Sequence, residues 1–287
     1  MFTKIILGAL SSAYLFFNFY PSTLCAGYWP ENDLDIPTSE VSAFSLNEST
    51  FNEVLDRIES VYGPEIGALG GRLQINRLWS NGLVNASAQR SGNRYIINMY
   101  GGMARYSNIT EEAFALVACH EIGHHLGGAP KIDSWFNPWA TNEGQSDYFA
   151  GLKCFRKIYT DAENIAWAET AQIHPIVAEK CDLSWGRDYE KAVCKRFAMA
   201  GRVITQLFKD LKFPDEDLGF ETPDSSKVST TFDDHPHPQC RLDTYFNSAL
   251  CDRALNERTS DRDPEVGACT RRQGYSDGVR PLCWYKP

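Results

Sequence analysis

The sequence predicts an α+β chain, with a small antiparallel or mixed sheet beside a helical bundle. Two short stretches in the first half alternate as strands, and the segments beyond Thr110 carry apolar residues at helical spacing. No internal repeat divides the chain. Residues 27–48 hold prolines and acids without a period and read as an N-terminal arm. Thr50-Phe-Asn-Glu53 has capping-box spacing, and Val54, Leu55, Ile58 and Val61 follow on one stripe. Gly63-Pro64 is expected to stop that helix. Arg72–Leu78 alternates as a strand, Asn81-Gly82 makes a turn, and Asn93–Tyr100 is a second strand. Gly101-Gly102 ends it, or lets something approach its backbone. Thr110-Glu111-Glu112 caps a helix running from Ala113 to His125 and stopping at Gly127-Gly128. Further helices are read over Glu143–Tyr159, Ala162–Lys180, Tyr189–Leu211 and Gln239–Leu255, with Pro175 bending or dividing the second of these. Residues 212–234 are loop. Residues 49–255 therefore form one domain, followed by a cysteine-containing tail at 256–287.

Composition narrows the function classes. The chain has 287 residues, 43% of them hydrophobic, and a formal net charge of -9. No stretch gathers lysine and arginine into a stripe, which excludes nucleic acid and anionic membrane surfaces as partners. Lys4 precedes an apolar run from Ile5 to Phe19, and Leu24-Cys25-Ala26 offers a cleavage point, so residues 1–26 read as a signal peptide. The run is short against the roughly 20 residues of a membrane span, and Ser11, Ser12 and Asn18 interrupt it. A lipid anchor on Cys25 is disfavoured by the bulky Leu24. Nine cysteines are present; cleavage after Ala26 removes one and leaves an even eight. In a periplasm or external medium these are expected to form disulfides, paired within the groups 119, 154, 181, 194 and 240, 251, 269, 283.

Cys119-His-Glu-Ile-Gly-His124-His-Leu-Gly-Gly-Ala-Pro130 carries the chemistry. On a helix, His120 and His124 lie one turn apart and can face one ion, with Glu121 beside them as a base for water. The plainer alternative is a pair of surface histidines, but Leu116, Val117 and Ala118 bury this helix. Gly127 invites a metzincin reading, whose third histidine would fall at Pro130. Proline cannot serve, and the next histidine is His174. A carboxylate from the following helix is the remaining choice. Glu143 and Asp147 share a helical face, so Glu143 can be the third ligand and Asp147 can hold a ligand imidazole. Two acids at a helix start also favour the macrodipole, and that alternative needs no metal.

His120-Glu-Ile-Gly-His124 followed by Glu143-x-x-x-Asp147 resembles the gluzincin metallopeptidases, and within them the family of HtpX-type heat-shock peptidases and CAAX prenyl proteases. Ile96-Ile-Asn-Met-Tyr-Gly101-Gly102 is similar to that family's edge strand. His235-Pro-His-Pro-Gln-Cys-Arg241 is similar to its His-Pro-Arg segment. The resemblance covers residues 50–255; the cysteines and tail lie outside it, and the membrane spans of the better-known members have no counterpart beyond the leader. It implies a zincin-like fold with one Zn2+ per chain. It also implies substrate contacts at Ile97, Asn98, Met99, Gly101 and Gly102, His235 as a donor to the reacting carbonyl, and Arg241 as a support for the segment or the carboxylates. His237 is the rival donor, and His235 can equally be an ordinary loop histidine. His125, turned about 100° from His124, should point away from the ion.

The resulting expectation is an exported zinc metalloendopeptidase acting on unfolded or flexible polypeptide. The alternatives are a zinc-stabilised secreted scaffold with little catalysis, or a zinc hydrolase of another substrate class. Oligomeric state is open.

Overall fold

The computed structural model describes residues 23–24, 27–30, 32–40, 42, 45–135 and 138–287, and over these the chain is α+β. The expected leader lies outside the described residues except at Thr23 and Leu24. Those two form strand β1 (Thr23–Leu24), which joins β2 (Arg72–Leu78), β3 (Ala86–Ser91) and β4 (Arg94–Tyr100) in one sheet of order β1-β3-β4-β2. β2 and β4 are parallel, while β3 is antiparallel to both β4 and β1.

This order corrects the expected edge strand. β4 is bonded on both sides, with Ile97 opposite Ile75 on β2 and Ala88 on β3. Ile97 and Met99 are fully buried and Asn98 nearly so. Gly101 and Gly102 open α2 (Gly101–Arg105), where a Cβ would run into the carbonyls of Trp79 and Gly82. The close approach there is made by the chain's own turn. Ile97, Asn98, Met99, Gly101 and Gly102 are thus core and packing residues. The edges of the sheet are β2 and the two-residue β1; beside β1 stands β3, whose Ala-Ser-Ala-Gln-Arg-Ser sequence has none of the β-branched residues that mark a strand. Small side chains suit it, because Ala86, Ser87 and Ala88 are buried where the zinc-motif helix packs. Gly92-Asn93, with Gly92 at φ 59°, was the available hairpin signal.

The helices follow the expected order with shifted ends. α1 (Glu48–Gly67) is capped by Asn47, whose side chain accepts from Thr50 N at 3.0 Å. Pro64 lies inside it, tolerated because the carbonyl it leaves unpaired belongs to exposed Ser60. α3 (Glu111–Leu126) is capped by Thr110 and buried from Ala113 to His125. α4 (Glu143–Phe149) continues through a π-helical turn (Ala150–Cys154) into α5 (Phe155–Ile158). Pro175 divides the next segment into α6 (Asp161–Thr170) and α7 (Pro175–Ser184), standing at the first turn of α7 where a proline costs nothing. α8 (Asp188–Lys212) and α9 (Pro238–Leu250) complete the set, α9 ending short of the expected Leu255.

Four disulfides join Cys119–Cys154, Cys181–Cys194, Cys240–Cys283 and Cys251–Cys269, each within its expected group. The last two bind the tail to the body. Trp284 is fully buried against Gly144 of α4, and its Nε1 donates to Thr244 of α9 at 2.9 Å. The expected surface arm also turns inward at Tyr28 and Trp29, which are 0% and 2% exposed. Among the described residues no helix is long and apolar enough to cross a membrane.

Candidate active site

Two helices bring the ligand atoms together. α3 carries His120 and His124 one turn apart, with ring centroids 4.7 Å apart. α4 begins at Glu143, its first turn held by Asn142, whose side chain accepts from Gln145 N at 3.0 Å. Gly123 sets the distance between them: a Cβ there would lie 2.9 Å from both Cα and O of Ser146. The glycine therefore admits the α4 backbone.

Each imidazole is fixed by its Nδ1. His120 Nδ1 donates to Asp147 Oδ1 at 2.7 Å, and His124 Nδ1 donates to Thr141 O at 2.8 Å. In the neutral rings the lone pairs then reside on the two Nε2 atoms, which face one another at 3.1 Å. Glu143 Oε2 lies 3.1 Å from His120 Nε2 and Oε1 lies 3.6 Å from His124 Nε2. These are close contacts without hydrogen-bond geometry, since both Glu143 oxygens are buried with no hydrogen-bond partner. One ligand atom from each of His120, His124 and Glu143 lies within 4.8 Å of the others, and all three residues are buried. With both rings neutral, the two converging lone pairs and the Glu143 carboxylate repel one another, and either a proton on His120 or a cation bound by all three turns that repulsion into attraction. A borderline-soft ion that takes nitrogen and oxygen ligands fits this His2Glu set.

Glu121 is fully buried with both oxygens unpartnered. Burial pushes its carboxyl up to about 8, with Glu143 adding to the rise and His120 and Arg241 opposing it. Burial opposes charge on His120 as well, but Asp147 and Glu143 together lift it to about 9. His124 has no such acid on its Nδ1 side, and burial takes it down to about 4. Glu143 is itself subject to burial, yet His235, His124 and His120 hold its carboxyl down at about 2.

Asp147 is the hub behind His120. Arg241 grips it with two bonds, Nε to Oδ2 and Nη2 to Oδ1, both 2.8 Å. Tyr245, one turn along α9 from Arg241, donates to Oδ1 at 2.5 Å and accepts from Arg241 Nη2 and from Tyr28. Arg241 thus supports the carboxylate, the second of the two roles left open for it. Asp147 is held well below the usual carboxylate range; burial opposes this, and Arg241 and His120 overcome it.

His235 is the histidine at the centre, and His237 is not. His235 Nδ1 pairs with Asp234 at 2.7 Å, its Nε2 donates to Gly27 O at 2.7 Å, and Nε2 stands 3.5 Å from Glu143 Oε2. With acceptors at both nitrogens the ring is raised above its usual value; burial resists, while Glu143 and Asp234 favour the charge. His237 is exposed beside Phe213 and Glu216. His125 points away as expected: Nε2 donates to Ile96 O at 3.1 Å, Nδ1 accepts from Arg90, and the ring stacks on Trp139. His174, the next histidine along the chain, lies apart from the cluster and meets Glu221 at 2.9 Å. Sequence reasoning missed Thr141, Tyr245 and Tyr28. Only Tyr245 left a signal, being four residues from Arg241 on one helical face.

No protein-family model, curated protein or solved structure matches this chain.

Proposed function

We propose that the chain is an exported, zinc-dependent metalloendopeptidase with a zincin-like architecture, related to the gluzincins. One observation supports this above all: a non-ligand glutamate, Glu121, lies buried and unpartnered beside the converging His120, His124 and Glu143. A purely structural zinc site has no use for such a group and closes its fourth position with another ligand. Four disulfides are consistent with an oxidising compartment.

Zinc in this site supplies a Lewis acid that acidifies water and polarises a peptide carbonyl. The positive charge also favours the ionised form of Glu121, against the burial that raises it. Glu121 takes the proton of the attacking water as the water oxygen bonds to the carbonyl carbon. It then delivers that proton to the departing amine nitrogen as the C–N bond breaks. His235 offers its Nε2–H to the carbonyl oxygen, where negative charge develops. Asp147, locked by Arg241 and Tyr245, keeps the His120 proton on Nδ1 and its lone pair on Nε2.

The test pairs metal analysis with cleavage of unfolded casein by the oxidised protein. About one zinc per chain is expected, retained in Glu121→Gln with hydrolysis lost, and weakened by about 10-fold or more in Glu143→Ala. Hydrolysis that survives in Glu121→Gln refutes the mechanism. Zinc binding unchanged in Glu143→Ala removes that residue from the ligand set.

A further inference from the structure

The ligand residues and Glu121 are at most 1% exposed, so an extended peptide has no open path to them in this arrangement. The chain's own N-terminal segment lies across that path. Thr23 and Leu24 pair antiparallel with Arg90 and Gln89 on β3, which without them is the edge at which a peptide would add as a further strand. Four residues on, Tyr28 N donates to Ala86 O at 2.8 Å, so the same edge is followed in the same direction. Between these points Gly27 presents its carbonyl to His235 Nε2, the donor assigned above to a substrate carbonyl. Tyr28 then sets its ring edge-on against His120, centroids 4.7 Å apart, and its carbonyl accepts from Arg241. Asn85 clamps the next peptide unit, accepting from Trp29 N at 3.0 Å and donating to Trp29 O at 3.2 Å.

We propose that this segment is a built-in occupant of the peptide path that holds the site latent, with Gly27 in the place of the residue whose carbonyl is engaged. The assignment rests on the peptidase reading for what is being kept out, and on main-chain geometry alone for what does the covering. Gly27 is suited to the position because a Cβ would lie 2.6 and 2.8 Å from Nδ2 and Oδ1 of Asn85. Removal of residues 1–26 at the expected cleavage point takes away the β1 pairing and leaves the Gly27 carbonyl on His235 to be displaced by substrate. Release is therefore stepwise.

The test uses the full oxidised chain with its leader retained, beside Thr23→Pro/Leu24→Pro and Gly27→Val variants. The prolines remove N–H groups from the paired strand; the valine meets Asn85. Hydrogen exchange at residues 87–91 and the rate at which a strong chelator strips zinc are measured for each. At least tenfold faster exchange is expected in the proline variant, and at least tenfold faster stripping in Gly27→Val, with thermal midpoints near the parent. Exchange and stripping unchanged in both variants would overturn latency. Should Gly27→Val fail to fold, the proline variant decides alone. Faster exchange in a protein that takes up no zinc, and that still cuts no casein once residues 1–26 are removed, would sustain the plug and sink the peptidase reading, which separates the two.

Discussion

Arg241→Met is the sharpest probe of how the site is held. Both ions of the Arg241–Asp147 pair are at most 1% exposed, and the two bonds between them are 2.8 Å long. Charge centres about 4 Å apart attract by about 4 kcal/mol at an effective dielectric constant near 20. Methionine preserves the aliphatic stem and loses the guanidinium carbon that lies 4.5 Å over the Tyr28 ring. What remains is a buried carboxylate with only His120 and Tyr245 as donors. Breaking one side of such a pair costs about 3–5 kcal/mol. With a urea slope of about 2 kcal/mol per molar, the unfolding midpoint should fall by about 2 M. Asp147→Asn should do similar harm by stranding the guanidinium. The double variant removes both charges, so its loss should be smaller than the sum of the single losses by about 2–3 kcal/mol. Equilibrium urea unfolding of the four proteins measures this, and zinc competition should show affinity down by about 10- to 100-fold in each single variant. A single Arg241→Met loss below about 0.5 kcal/mol, or strict additivity in the double, would refute the hub.

Other expectations follow from the same contacts. Gly123→Ala forces a Cβ to within 2.9 Å of the Ser146 backbone, so α4 must move away; about 1–3 kcal/mol of stability and much of the zinc affinity should be lost together, read by thermal unfolding and zinc competition. Replacing Cys119 and Cys154 by serine opens a loop with sequence separation 35, worth about 4 kcal/mol, and should lower the melting temperature by about 10 °C. Zinc uptake should depend on pH with a definite sign. His120, raised to about 9, must give up a proton to bind metal, so affinity should climb by about tenfold per pH unit from 6 to 8 and flatten above 9. His124, lowered to about 4, adds no slope in that range. A pH-independent affinity in a competition titration would contradict the His120–Asp147 arrangement.

The helices were legible because their periods and stops are local: Thr110 caps α3, and Pro175 opens α7. Glu143 and Asp147 could be paired with the histidines because the motif fixed a deficit of one ligand and the acids repeat at one helical turn. Long-range contacts left no such trace. That Thr141 O would hold His124, or that Tyr28 would reach Tyr245, depends on backbone and hydroxyl groups that every sequence contains. β3 escaped notice for a related reason. Its inward residues are small so that α3 can lie close, which strips the strand of the bulky pattern used to find strands.

That same exchange of bulk for proximity explains why the site lies where it does. α3 passes close to the sheet on one side and to α4 on the other, which brings its histidines to Glu143. Ala86, Ser87 and Ala88 permit the first approach, and Gly123 the second. Helices brought so close leave the polar groups of His120, His124, Asp147 and Glu143 with no water to solvate them, so each must find a fixed partner. Asp147 finds three side chains and His124 a carbonyl. Glu121 and Glu143 find no hydrogen-bond donor. Charge contacts stand in for hydrogen bonds there: His235, His124 and His120 hold Glu143 ionised, while burial favours the neutral acid on Glu121 until a positive charge comes near. The proposed divalent ion among His120, His124 and Glu143 would supply that charge, and failure of purified, oxidised protein to take up any would leave Glu121 a neutral acid and sink the metal reading of the cluster.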